Sequence, residues 1–179
     1  MALLTAPGAR RALLLGILAS GMCRGQVFNE YQVKAAFLYT FAKFVEWPPQ
    51  AFSSPSAAMT ICVLGEDPFG SFLDDAVKGK TVDGRPLVVY RLTDLPTGHE
   101  CKILFIATSE SRRMPALLAS MATSGVLTVG DTTEFASEGG IIGLRLDGER
   151  IRLSVNLTAA ERAKVRISSR MLSLATIIK

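Results

Sequence analysis

Chemically reactive side chains are scarce in this sequence. Among 179 residues there are one histidine, one tryptophan and three cysteines, and aromatic residues make up only 7%. A Ser-His-Asp or Cys-His arrangement would have to be built on His99, the sole imidazole. His99 lies in the polar stretch Thr97-Gly98-His99-Glu100, and no Gly-x-Ser-x-Gly elbow leads into a helix, so it reads as an exposed loop residue. Clusters of His, Cys, Asp and Glu at metal-ligand spacing are missing. Asp74 and Asp75 are neighbours on an expected helix, where adjacent side chains point apart, and read as solvated. No apolar run reaches the roughly 18 residues of a spanning helix, which excludes a multi-pass membrane protein. A composition of 49% hydrophobic and 20% charged residues excludes a disordered, collagen-like or disulfide-dense chain. The length fits one domain with a substantial core.

The amino-terminal stretch reads as an address. Residues 1–25 contain no acid; Arg10 and Arg11 precede the apolar run Ala12 to Ala19, and Ser20-Gly21-Met22-Cys23-Arg24-Gly25 follows. A basic region, a short apolar region and small residues make a secretory leader, with cleavage expected after Gly25. Cys23 also raises a lipoprotein signal, but Met22 stands where such a signal needs a small residue. The expected organisation is a signal peptide at 1–25 and a single exported domain at 26–179.

Removing the leader takes away three arginines and no acid, which leaves 17 basic and 16 acidic residues. The basic balance therefore belongs to the address, and no nucleic-acid partner is expected. The remaining charge is uneven. Residues 26–144 carry nine basic and thirteen acidic side chains, and residues 145–179 carry eight and three. A basic carboxyl-terminal segment suits an acidic partner, or equally a solvated helix face.

The pattern of elements is α/β. From Asn29 to Glu46 the apolar residues Val33, Ala36, Phe37, Phe41, Phe44 and Val45 recur at helical spacing, with Asn29 as N-cap and Trp47-Pro48-Pro49 as stop. Strands are expected at Met59–Leu64, Pro86–Tyr90, Lys102–Ala107 and Gly125–Gly130. Between them lie helices from Asp67-Pro68 to about Lys78 and from Ser109 to Met121, then a short one from Thr132 to Ser137. Strands apolar on both faces that alternate with helices indicate a mostly parallel, flavodoxin- or Rossmann-like sheet with helices on both faces. Ile141–Leu146 and Arg150–Val155, joined by Asp147-Gly148-Glu149, form a β-hairpin. A last helix is expected from Thr158, with Glu161 completing a capping box, to about Ile177. Asn156-Leu157-Thr158 is formally a glycosylation sequon, which the cap explains without glycosylation. Gly65-Glu66-Asp67-Pro68-Phe69-Gly70 and Gly130-Asp131 follow strands, where such sheets bind small ligands, but the first lacks phosphate-loop spacing and carries two acids.

Once the leader is gone two cysteines remain, Cys62 and Cys101, and an even count in an exported chain implies a disulfide. In strand order 2-1-3 their two strands are neighbours. The alternative is a pair of buried free thiols. Trp47, beside two prolines, has the chemistry of a partner anchor and equally of a core plug. Leu172, Leu174, Ile177 and Ile178 make the end strongly apolar, with Leu174 expected in the core and Ile177 and Ile178 at an interface.

Glu30-Tyr31-Gln32-Val33-Lys34-Ala35-Ala36-Phe37-Leu38-Tyr39 followed by Phe41-x-Lys43-Phe44-Val45-Glu46-Trp47-Pro48 resembles the opening of the YfiR family. So do Ile61–Gly65, Cys101–Ile106, Gly125–Asp131 and the end from Asn156 to Leu174. The resemblance implies a non-enzymatic, dimeric periplasmic repressor without a cofactor. It would bind the periplasmic sensor region of an inner-membrane diguanylate cyclase and hold the enzyme off. An outer-membrane lipoprotein would sequester it, raising cyclic-di-GMP and biofilm formation. It also implies a Cys62–Cys101 disulfide and a partly hydrophobic partner surface toward the carboxyl terminus, where the residue pattern itself offers Ile177 and Ile178, with Trp47 as a further anchor candidate. The family repressor's second cysteine pair has no counterpart, since no cysteine follows Cys101. The alternative is a periplasmic small-molecule-binding protein without a cyclase partner, using the Gly65 or Gly130 corner.

Overall fold

The computed structural model describes residues 29–95 and 101–178. The expected leader and its cleavage site, and also His99, lie outside the described residues. Helix α1 (Glu30–Phe44) starts where the Asn29 side chain accepts the Gln32 amide at 3.1 Å. Its buried stripe is Lys34, Ala35, Leu38, Phe41 and Ala42, one step round from the expected face. Ala36 points to solvent, and a lysine takes a place in the buried stripe.

The central sheet has eight strands. They are β2 (Met59–Leu64), β3 (Thr81–Val82), β4 (Arg85–Leu92), β5 (Ile103–Ile106), β6 (Leu127–Gly130), β7 (Ile142–Asp147), β8 (Arg150–Asn156) and β10 (Thr176–Ile178). Their spatial order is β10-β8-β7-β6-β5-β2-β4-β3. The run β4-β2-β5-β6-β7 is parallel throughout, in the flavodoxin-like order. The expected hairpin is present, with Leu144 opposite Leu153 and Asp147 opposite Arg150.

Alternation along the strands divides the core in two. Ile61, Val63, Ile103, Phe105, Leu127 and Val129 meet α1 and α2 (Ser71–Val77) on one face. Cys62, Leu64, Leu104 and Ile106 meet Met114, Leu117 and Leu118 of α3 (Met114–Met121) on the other.

Several expected boundaries move for identifiable reasons. Asp67 does not cap a helix. Its carboxylate accepts the Phe69 amide and the Arg91 guanidinium, and α2 begins only at Ser71. The helix expected from Ser109 is a 3-10 turn over Thr108–Arg113 that gives way to α3 at Met114, where Pro115 without its N–H suits a helix start. Residues 132–137 form turns rather than a helix.

The largest correction concerns the end of the chain. The expected long helix is four pieces: α4 (Leu157–Arg162), β9 (Arg166–Ile167), α5 (Ser169–Leu172) and β10. Lys164 turns left-handed at φ 57° and ends α4. Arg166 and Ile167 then pair antiparallel with β1 (Val45–Glu46) in a separate two-stranded sheet. Thr176, Ile177 and Ile178, β-branched throughout, complete the main sheet beside β8. The α4 cap is Asn156, not Thr158: its side-chain oxygen accepts the Ala159 amide at 2.8 Å while its amide donates to the Ala136 carbonyl at 2.7 Å. A buried, doubly bonded Asn156 is no glycan acceptor.

Candidate functional site

Ligands of parallel α/β sheets bind at the carboxyl ends of the strands. Here the chain fills that place itself. Beyond β6, the Asp131 side chain is 3% exposed, and the Lys34 ammonium, on a residue 1% exposed, lies 2.7 Å from its Oδ2. The Tyr31 hydroxyl donates to the same oxygen at 3.0 Å, and Thr108 donates to Oδ1 at 3.0 Å. Glu30, one turn before Lys34, makes a second ion pair with the ammonium. Burial, and then the Asp131 carboxylate, push the Tyr31 phenol well above its ordinary range. Each member of this cluster is bonded to another, and together they clamp α1 to the sheet.

The neighbouring corner is equally full. Gly65 has φ 93°, and a Cβ there would fall 2.5 Å from Ser109 Oγ, which accepts the Glu66 amide. Gly130 faces the Phe135 ring so closely that a Cβ would overlap it. Asp74, expected to be solvated, is held by two nitrogens of Arg91, at 3.1 and 2.6 Å. This hydrogen bonding holds its carboxyl below the usual range.

The carboxyl-terminal edge is different. Leu174, expected in the core, is 79% exposed and is a correction to the sequence reading. It rims an apolar groove of about 120 Å³ whose walls include Phe37, Phe41, Phe44, Leu153 and Met171, with Arg170 at the side. Ile177 is 38% exposed. It stands in register with Val155, and so on the same sheet face as Leu153. Ile178 is half-buried beside it. Leu146 is exposed and lies opposite Ile151 on that face. Arg145, Arg152, Arg162, Lys164, Arg166 and Arg170 are all exposed, so the basic charge is spread over hairpin and coil rather than along one helix; only Arg170 borders the groove, and Arg145 and Arg152 pair on the other face of the hairpin. Trp47 follows β1 on the small sheet. It packs against the core, half-buried, with its indole N–H out of solvent and without a hydrogen-bond partner among the described residues.

Cys62 and Cys101 form the expected disulfide, with Cα atoms 5.8 Å apart. It ties β2 to the start of β5, its neighbour in the sheet.

The YfiR/HmsC-like family model (DUF4154) matches residues 31–176. The chain belongs to the YfiR/HmsC-like family. That family is one of periplasmic regulators in cyclic-di-GMP signalling, not of enzymes. Among the described residues no helix is long and apolar enough to cross a membrane. No curated protein sequence matches the chain. Two solved structures are similar in fold. A conserved domain protein from Vibrio cholerae is 14% identical with TM-score 0.51, over 67% of this chain and 54% of that one. The ABC domain in complex with L-Trp from Streptococcus pneumonia is 12% identical with TM-score 0.53, over 83% and 60%. At these identities the likeness is one of fold, and the YfiR/HmsC-like chain spans little more than half of either protein.

The sequence reading missed Lys34 and Tyr31. The Glu30–Lys34 spacing looks like an ordinary surface pair on a helix. Only the fold brings Asp131, about a hundred residues away, against it. The position of Gly130-Asp131 after a strand was the available signal.

Proposed function

We propose that this protein is an exported, non-enzymatic regulator that binds the periplasmic sensor region of an inner-membrane diguanylate cyclase and holds the enzyme off, lowering cyclic-di-GMP. Family membership supports the pathway. The observation that carries the contact mode is the exposed apolar edge of Leu174, Ile177 and the Phe37–Phe44 groove, with Arg170 beside it. Exposed apolar side chains with a guanidinium beside them suit a partner with an apolar anchor and an acidic neighbour. In this reading Ile177 and Ile178 touch the partner, Trp47 supports the surface from the small sheet, and the regulator acts as a homodimer. An outer-membrane lipoprotein that competes for the same edge would release the cyclase. The leader is removed near Gly25 on export.

The test is capture from membranes of the source organism with tagged protein, followed by mass spectrometry. Recovery of a membrane protein with a periplasmic sensor region and a cyclase domain, lost when Ile177 is changed to Glu, is the expected result. Recovery of the same cyclase by Ile177→Glu contradicts the surface assignment. Failure to recover any cyclase across varied salt and detergent contradicts the regulatory reading.

A further inference from the structure

The outer edge of the main sheet is only half paired. Strand β8 runs from Arg150 to Asn156, but β10 lies in register with Ser154, Val155 and Asn156 alone. Along residues 150–153, β8 pairs with β7 on its inner side, and among the described residues no strand pairs with its outer side. Alternate residues of an antiparallel strand turn their N–H and C=O groups away from the partner strand, so this stretch presents a short backbone template.

The two faces beside this template differ. On one, Ile151 lies opposite the exposed Leu146 and Leu153 opposite Leu144, and Leu174 rims the groove that Leu153 lines. On the other, Arg152 lies opposite Arg145, and Arg150 opposite Asp147, with all three arginines exposed. The Asp147 carboxylate accepts Arg152 Nε at 3.0 Å, and among the described residues neither Arg145 nor Arg150 has a carboxylate partner. Three arginines thus share one aspartate, and like charges directly opposite each other, as at Arg145 and Arg152, weaken a hairpin. Carboxylates supplied by another molecule would remove that cost. Charge also decides between occupants. A second copy pairing β8 antiparallel to β8 would bring the arginines of both copies onto one face, and charged edges are a usual guard against such self-pairing. A strand carrying alternate carboxylates meets no such barrier.

We infer that residues 150–153 bind an extended segment of a protein partner by strand addition, a segment that alternates apolar side chains, on the Ile151 face, with carboxylates, on the face of Arg150 and Arg152. The inference rests on the proposed function in placing the partner at this edge of the sheet, and adds the conformation and the residue pattern of the segment held there.

The test is a nuclear magnetic resonance titration of the purified protein with the end-capped peptide Thr-Val-Glu-Val-Glu-Val-Thr. Its controls are Thr-Val-Lys-Val-Lys-Val-Thr and the reordered Thr-Glu-Glu-Val-Val-Val-Thr. Saturable binding of the alternating acidic peptide is expected, at least about tenfold tighter than either control, with slowed amide exchange at alternate residues of 150–153. Arg145→Glu sets a carboxylate opposite Arg152, which suits the hairpin and takes positive charge from this face; it should weaken the acidic peptide by about tenfold. Circular dichroism checks its fold, and the comparison of peptides on the wild type needs no variant. Equal binding of the three peptides, no saturable binding up to about 1 mM, exchange slowed only outside residues 150–153, or undiminished binding by a folded Arg145→Glu overturns the inference. None of these outcomes involves a cyclase. Capture of the cyclase alongside any of them leaves the regulatory reading standing, and failure to capture one while the acidic peptide binds as expected counts against that reading alone.

Discussion

The carboxyl end of the parallel strands and the carboxyl-terminal edge of the sheet solve opposite problems. At the strand ends Lys34, Tyr31, Thr108 and Asp131 satisfy one another, with the Lys34 and Asp131 side chains out of solvent. At the edge Leu174 and Ile177 are left in water with no apolar partner covering them among the described residues. The first region resembles a ligand site that the protein has closed with its own helix. The second resembles a surface whose packing is completed by another molecule. In the proposed reading, recognition falls on the rim of the sheet and not in the crevice.

If the clamp is structural, breaking it should cost stability and leave recognition alone. Lys34→Met strands the buried Asp131 carboxylate and should destabilise by about 3–5 kcal/mol in urea unfolding. Changing Asp131 to Asn as well should recover part of that. A loss below about 1 kcal/mol would mean the pair is not buried in solution.

Removing the disulfide by Cys62→Ala with Cys101→Ala opens a 39-residue span and should cost about 4 kcal/mol in the chain-entropy view. Equal unfolding midpoints of the oxidised and reduced protein would contradict that role.

The clamp also has a pH signature. The Tyr31 phenol has its folded-state pKa raised, so its contribution is complete below the unfolded value, about 10, and is lost as pH rises above it. Stability should fall with alkali more steeply in the wild type than in Tyr31→Phe. Parallel slopes from pH 9 to 11 would remove Tyr31 from the clamp.

The smallest effect separates two caps. Asn156→Ala should cost about 2 kcal/mol, since it loses the cap and leaves the Ala136 carbonyl bare. Thr158→Ala, exposed and uncapping nothing, should stay within about 0.5 kcal/mol. Reversed values would restore Thr158 as the cap.

Much of the fold was legible in local pattern. The apolar runs Met59–Leu64 and Ile103–Ile106, the Asp147-Gly148 turn and the Asn29 cap are short-range signals, and each appears in place. The disulfide followed from cysteine parity and strand order. The end of the chain was misread because Thr158 to Ile177 has helical composition, while its fate is set at long range: β1 offers a partner for Arg166–Ile167, and β8 offers a free edge for Thr176–Ile178. The clamp was hidden for the same reason, since a lysine in an apolar helix face looks like an error in the pattern until Asp131 arrives from β6. The apolar edge was half legible. Ile177 was expected outside, but Leu174 was expected inside and is the more exposed of the two.

The most direct measurement compares affinities. The periplasmic region of the captured cyclase would be titrated with the wild type, Lys34→Met and Ile177→Glu, each checked for a folded state. The account predicts that Ile177→Glu loses binding by at least about a hundredfold, as expected for a charge placed in an apolar contact, while Lys34→Met binds as the wild type does despite its lower stability. Undiminished binding by Ile177→Glu, or loss confined to a folded Lys34→Met, would contradict it and move recognition from the edge to the clamp.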